Sequence, residues 1–153
     1  MKIETYIKKI QALHACEEAV EAARKYTTSQ ELWDDCGRGD WMLWFIARTQ
    51  HDRKQLVLAT CACLRLSLKY VPAGEDRPRM AIETAEKWAR DEGATLDDVR
   101  AAANAFAAAN AAYAAAEANA AKNKTLKKGA DIVRGFFPKV DKLFKDAERK
   151  SAG

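Results

Sequence analysis

Apolar residues along this chain recur every three or four positions, the period of a helix buried on one side. Ile3, Ile7, Ile10, Leu13, Cys16, Val20 and Ala23 form one such stripe and predict a helix over residues 3–26. Thr28, followed three residues later by Glu31, is a capping box that opens a short helix through Cys36. Gly37 and Gly39 then interrupt the chain, and Asp40 is the expected N-cap of a helix from Trp41 to Thr49. Asp52 is placed to cap a helix from Arg53 to Tyr70, whose apolar face carries Val57, Cys61, Leu64 and Leu68.

Val71-Pro72-Ala73-Gly74 is the clearest loop. Beyond it, Asp76 precedes a helix with Pro78 in its first turn, where a missing N–H costs little, and Gly93 is expected to end that helix after Glu92. Thr95 and Asp98 make a second capping box, opening the longest predicted helix over residues 96–123. Fifteen of residues 101–121 are alanine, the best intrinsic helix former. Thr125 is expected to start another helix carrying Leu126, Ala130, Val133 and Phe137, and Pro138 either ends it or opens a last one. A last segment, Val140 to Lys150, has Leu143, Phe144 and Ala147 on one side. No repeat of 30–45 residues is visible, which disfavours a solenoid. The expected fold is all-α, a single-domain helical bundle of six to eight helices with a long alanine-rich helix. Residues 1–138 would form the bundle and 139–153 a basic C-terminal helix or tail of the same domain.

Composition changes this picture little. The 153 residues suit one domain, and the 48% hydrophobic content is inflated by 31 alanines, a helix former rather than a bulky core residue. No run of eighteen apolar residues predicts a transmembrane helix, and the first residues lack the apolar region of a secretory signal. Cys16, Cys36, Cys61 and Cys63 are then expected to be reduced thiols of a cytoplasmic protein. The net charge of +4 is uneven, because residues 122–153 hold ten Lys/Arg against four Asp/Glu. That basic end has few aromatics for base stacking and no glycine-rich arginine repeats, which argues against nucleic acid as the partner.

Catalytic and metal chemistry find little support. Cys61 and Cys63 lie in a helical stretch, where an i, i+2 pair points about 200° apart and cannot chelate one ion. His14 and Cys16 share that spacing, and no C-x-x-C, H-E-x-x-H or EF-hand loop occurs. Neither a G-x-S-x-G elbow nor a phosphate-cradling glycine loop is present. The chain is therefore expected to be no enzyme and to use no cofactor and no metal.

Three clusters carry the candidate binding chemistry. Trp41, Trp44 and Arg48 share one helical face; either the tryptophans only fill the core, or they form an aromatic wall with a guanidinium for a base and a phosphate. Arg77 and Arg79 stand at a helix start that favours anions, although Glu75 and Asp76 beside them also permit plain ion pairing. Phe106, Asn110, Tyr113 and Glu117 line up on the alanine-rich helix, either facing the bundle or half exposed.

The run from Val71 to Arg90 has D-R-P-R at Asp76–Arg79, A-I-E-x-A at Ala81–Ala85 and W-A-R at Trp88–Arg90, followed by the alanine tract. With G-D-W-M-L-W at Gly39–Trp44 and A-D-I-V-R at Ala130–Arg134, it resembles a family of phage and bacterial proteins labelled immunity proteins, over residues 13–138. The resemblance implies an all-α fold and a binding role in a bacterial host cell. One expectation is a phage-type counter-defence protein that sequesters a small anionic nucleotide-derived immune signal, of cyclic nucleotide or ADP-ribose type. Trp41 and Trp44 would stack the base, Arg48, Arg77 and Arg79 would hold phosphate, and Asn110 with Tyr113 would read ribose or base edges. A homo-oligomer enclosing the ligand between protomers is compatible with this. The alternative is an immunity or inhibitor protein that covers a toxin or defence effector through aromatic and arginine anchors.

Overall fold

The computed structural model describes residues 1–49, 52–102 and 119–144, and among these the regular elements are helices. They run α1 (Ile3–Ala12), α2 (Glu17–Ala23), α3 (Ser29–Asp35), α4 (Gly39–Thr49), α5 (Arg53–Arg65), a 3-10 turn (Leu68–Tyr70) and α6 (Arg77–Ala89). The described part of α7 is residues 96–102, Asn119–Phe136 form α8, and the described part of α9 is residues 140–144. The chain is an all-α helical bundle. No helix among the described residues is long and apolar enough to cross a membrane.

The apolar stripes read from the sequence become one core. Ile3, Tyr6 and Ile10 of α1, Val20 and Ala23 of α2, and Met42, Phe45 and Ile46 of α4 meet Ala130 and Val133 of α8. Val140, Leu143 and Phe144 close the core from α9. Phe45 is the hub of an aromatic cluster, with ring centroids 5.6 Å from Tyr6, 6.0 Å from Trp33 and 5.0 Å from Phe144. These separations lie in the favourable range for offset and edge-to-face rings. The α4 helix packs on α8 and α5, and α5 packs in turn on α6 and α8.

Three capping expectations hold. Thr28 and Glu31 form a reciprocal capping box, Asp52 accepts from the Gln55 N–H at 3.0 Å, and Thr95 and Asp98 cap α7 in both directions. Several boundaries differ. The helix expected over residues 3–26 is two helices, because His14 takes a left-handed φ of 62°. The Ala15 N–H then donates to the Ile10 carbonyl at 3.0 Å and the His14 N–H to the Gln11 carbonyl at 2.9 Å. This is a Schellman stop with histidine in the position glycine usually takes. Asp91, at φ 60°, ends α6 the same way at Ala89, three residues before the expected end at Glu92. The α5 helix stops at Arg65 and gives way to the 3-10 turn before Tyr70. The α8 helix passes through Thr125 without a break.

Asp40 is not an N-cap, since α4 already begins at Gly39. A side chain at Gly39 would place its Cβ 2.7 Å from the Ala130 nitrogen and 2.8 Å from the Gly129 carbonyl carbon. The glycine thus lets α4 start directly against the main chain of α8. Most of the alanine tract, residues 103–118, lies outside the described residues.

Candidate functional site

The chain breaks at His14 between α1 and α2, and a cavity of about 370 Å³ lies among the first four helices. Tyr6 and Ile10 of α1 form one wall, and Trp33 with Cys36 at the end of α3 forms another. His14, Ala15 and Cys16 supply an edge from the corner. Asp40, Trp41, Trp44 and Phe45 line the side belonging to α4.

Burial places the tryptophan face between the core and the cavity. Met42, Phe45, Ile46 and Thr49 form the buried side of α4, while Trp41 and Trp44 flank it half-buried and line the cavity. Trp44 also packs against the core, so it serves both packing and lining. Trp33 is a core residue, 2% exposed, with its indole N–H donated to the Phe137 carbonyl at 2.8 Å.

Two guanidinium groups stack on these rings. Arg48, exposed, lies 4.8 Å from the Trp44 ring centroid, and among the described residues no carboxylate closes on it. Arg38, which the sequence reading missed, lies 4.1 Å from the Trp41 ring. Its Nε and Nη2 donate to both oxygens of Asp40 at 2.9 and 2.8 Å, and its Nη1 reaches Glu18 at 3.3 Å. Burial pushes the Asp40 carboxyl up, but the Arg38 guanidinium more than reverses this and holds it below the usual carboxylate range. Burial also pushes the Cys36 thiol and the Tyr6 phenol up, so both stay neutral near pH 7.

Arg77 and Arg79 do not line this cavity. Arg77 closes on Glu75, holding that carboxyl down to about 2 through their hydrogen bonds, and Arg79 reaches Asp76 at 2.8 Å and Glu83 at 3.3 Å. Their acids lie two to four residues away, close enough that local pairing takes up both guanidinium groups. Asn110 and Tyr113 lie outside the described residues. Among those described, no group of three His, Cys, Asp or Glu could hold a metal ion. Cys61 and Cys63 point apart as the helical spacing requires, one toward the Ile82 carbonyl and the other toward the Gly129 carbonyl. Burial pushes both thiols up to about 11.

A second hollow of about 280 Å³ lies between α5, α6 and α7, lined by apolar side chains such as Leu56, Leu64, Ile82 and Val99. No family model, curated protein or solved structure matches the chain.

Proposed function

We propose that the protein sequesters a small anionic, nucleotide-derived molecule without altering it chemically. The observation that carries this reading is the cavity walled by Trp41, Trp44, Trp33, Tyr6 and Phe45, with Arg38 on one tryptophan and Arg48 on another. Aromatic walls offer a planar base a stacking surface, and guanidinium groups offer phosphate charge-assisted hydrogen bonds. Its volume of about 370 Å³ is near the lower end of ligand pockets, roughly 300–1,000 Å³. A base with its sugar fits such a space, and phosphates would lie at the rim beside Arg38 and Arg48. The resemblance to phage and bacterial immunity proteins gives the reading its setting. The ligand would be an immune signal of cyclic nucleotide or ADP-ribose type, taken up by a counter-defence protein in the cytoplasm of a bacterial host cell.

Calorimetry against cyclic dinucleotides, cyclic ADP-ribose isomers and ADP-ribose conjugates tests this, with each bound ligand recovered by heat denaturation and weighed. Recovery at unchanged mass supports sequestration; an altered mass means an enzyme. Trp44→Ala and Arg48→Ala should weaken binding at least several-fold, whereas Arg77→Ala should leave it unchanged. The second reading, an inhibitor covering a toxin or effector protein, is favoured by the apolar hollow between α5 and α6 and by Met80, 58% exposed on α6. Failure of the whole ligand panel would move the assignment to that reading.

A further inference from the structure

We propose that Arg38 is a built-in stand-in for the ligand and that it marks the place of a guanine-type base. The inference rests on the sequestration reading and narrows it to one base. Arg38 lies 4.1 Å from the Trp41 ring centroid and presents two adjacent N–H groups to the two oxygens of Asp40 at 2.9 and 2.8 Å. Trp41 and Asp40 both line the cavity, so this self-pairing sits at its rim.

Guanine carries the same pair of features. Its N1–H and its exocyclic N2–H₂ are attached to one carbon, as the donors of a guanidinium are, and its flat ring system stacks. An ionised carboxylate only accepts, and two parallel N–H donors satisfy it bidentately. Adenine and cytosine set a ring-nitrogen acceptor beside their amine, so one oxygen of Asp40 would face a lone pair. Hypoxanthine keeps N1–H but lacks the exocyclic donor. A site built to receive a donor rejects the analogue that lacks it, because its own polar group is left unpaired. Asp40 is half exposed, which lowers the discrimination below that of a dry pocket.

The exchange conserves the pairing at each step. The base takes the Asp40 oxygens and the Trp41 face, and Arg38 swings away to meet the ligand's phosphate while Asp40 stays ionised. Glu18, already 3.3 Å from Arg38, steadies the guanidinium during the exchange.

Calorimetry with guanosine, inosine and adenosine 5′-monophosphates tests the assignment. The guanine nucleotide should bind at least about tenfold more tightly than the hypoxanthine one, and the adenine nucleotide more weakly still. Asp40→Asn should erase this ranking. Arg38→Ala should raise the affinity for guanosine, which has no phosphate, because the stand-in is gone; a purely structural ion pair would give no such gain. Equal binding of the three nucleotides, or a ranking unmoved by Asp40→Asn, overturns the guanine assignment and leaves sequestration standing. If none of the three binds, the guanine assignment is likewise overturned. Binding of an adenine-only ligand such as an ADP-ribose conjugate would then keep the sequestration reading, and silence of the whole panel would end both.

Discussion

Replacing Gly39 with alanine probes the close contact between α8 and the start of α4, the helix that carries Trp41 and Trp44. The added Cβ would sit 2.7 Å from the Ala130 nitrogen, 2.8 Å from the Gly129 carbonyl carbon and 3.0 Å from the Leu126 oxygen. All three are main-chain atoms of α8, and none can rotate aside. Carbon contacts are comfortable at roughly 3.5–4.0 Å, so α4 would have to retreat by about 0.5–1 Å, drawing Met42, Phe45 and Ile46 away from their neighbours. Overpacking of this kind costs about 1–3 kcal/mol. The higher helix propensity of alanine offsets at most about 1 kcal/mol, and less at the first residue of a helix. Gly39→Ala should therefore lower stability by about 1–2 kcal/mol. In a chain of this size that is a fall in Tm of about 2–8 °C. Gly135→Ala is the control, since nothing lies within 4 Å of its Cβ, and it should gain up to about 0.5–1 kcal/mol. Urea denaturation followed by circular dichroism reads both, with an unchanged m-value required for comparison. Because α4 carries Trp41 and Trp44, Gly39→Ala should also weaken the proposed ligand binding. A Gly39→Ala protein as stable as the parent would refute the main-chain contact between α4 and α8.

The remaining tests address single interactions. Glu86 accepts two hydrogen bonds from Arg65 at 2.8 and 2.7 Å, which with the Arg65 charge hold its carboxyl below the usual range. A lowered carboxylate pKa adds stability that is complete above the unfolded value of about 4.3 and disappears as the pH falls through the folded one. Glu86→Gln should lose about 1 kcal/mol at pH 7, a figure kept low because Arg65 is 43% exposed, and should flatten the acid limb of a pH series of urea midpoints. Trp33→Phe leaves the buried Phe137 carbonyl without its partner and should cost about 1–3 kcal/mol in the same denaturation assay. Thiol titration of the native protein at pH 8 should label Cys16 rapidly and Cys61 and Cys63 slowly, since burial raises the latter two to about 11. Labelling of Cys61 or Cys63 at the rate of the denatured chain would contradict the packing of α5.

The helical class and most of the core were legible because apolar spacing reports directly on which side of a helix is covered. Of the first stripe, Ile3, Ile10, Val20 and Ala23 are buried and Ile7 and Leu13 half-buried, whereas Cys16, just past the break at His14, is exposed. What spacing does not report is whether the stripe is continuous. The stop at His14 was hidden because glycine is the usual signal for a left-handed residue, and a histidine there is uncommon. Asp91 concealed the end of α6 in the same way, drawing attention to Gly93 two residues on. Gly39 showed the reverse error, since it reads as a breaker and acts as a close-packing residue inside the helix. At the site, the shared face of Trp41 and Trp44 was visible from i, i+3 spacing. Arg38 was not, because it stands between two glycines and looks like a linker, although it is also three residues from Trp41. Arg77 and Arg79 were legible as candidates for either role, and the local pairing that Glu75 and Asp76 permitted is the one the structure displays, with Glu83 added one turn on.

The strain at His14 and the cavity belong together. A continuous helix over residues 3–26 would extend about 36 Å in a straight line at 1.5 Å per residue and could not bring both of its halves around α4. Breaking it after Ala12 lets α1 place Tyr6 against Phe45 while α2 turns Ala19 toward the same hollow. The left-handed conformation disfavours a residue with a Cβ by roughly 1–2 kcal/mol, and the Schellman hydrogen bonds of Ala15 and His14 offset part of that. Glycine at this corner would remove the strain and also the imidazole that edges the cavity. Keeping histidine there retains a polar, ring-bearing edge on the cavity that Asp40 and the tryptophans also line, at a position where backbone geometry alone would favour glycine.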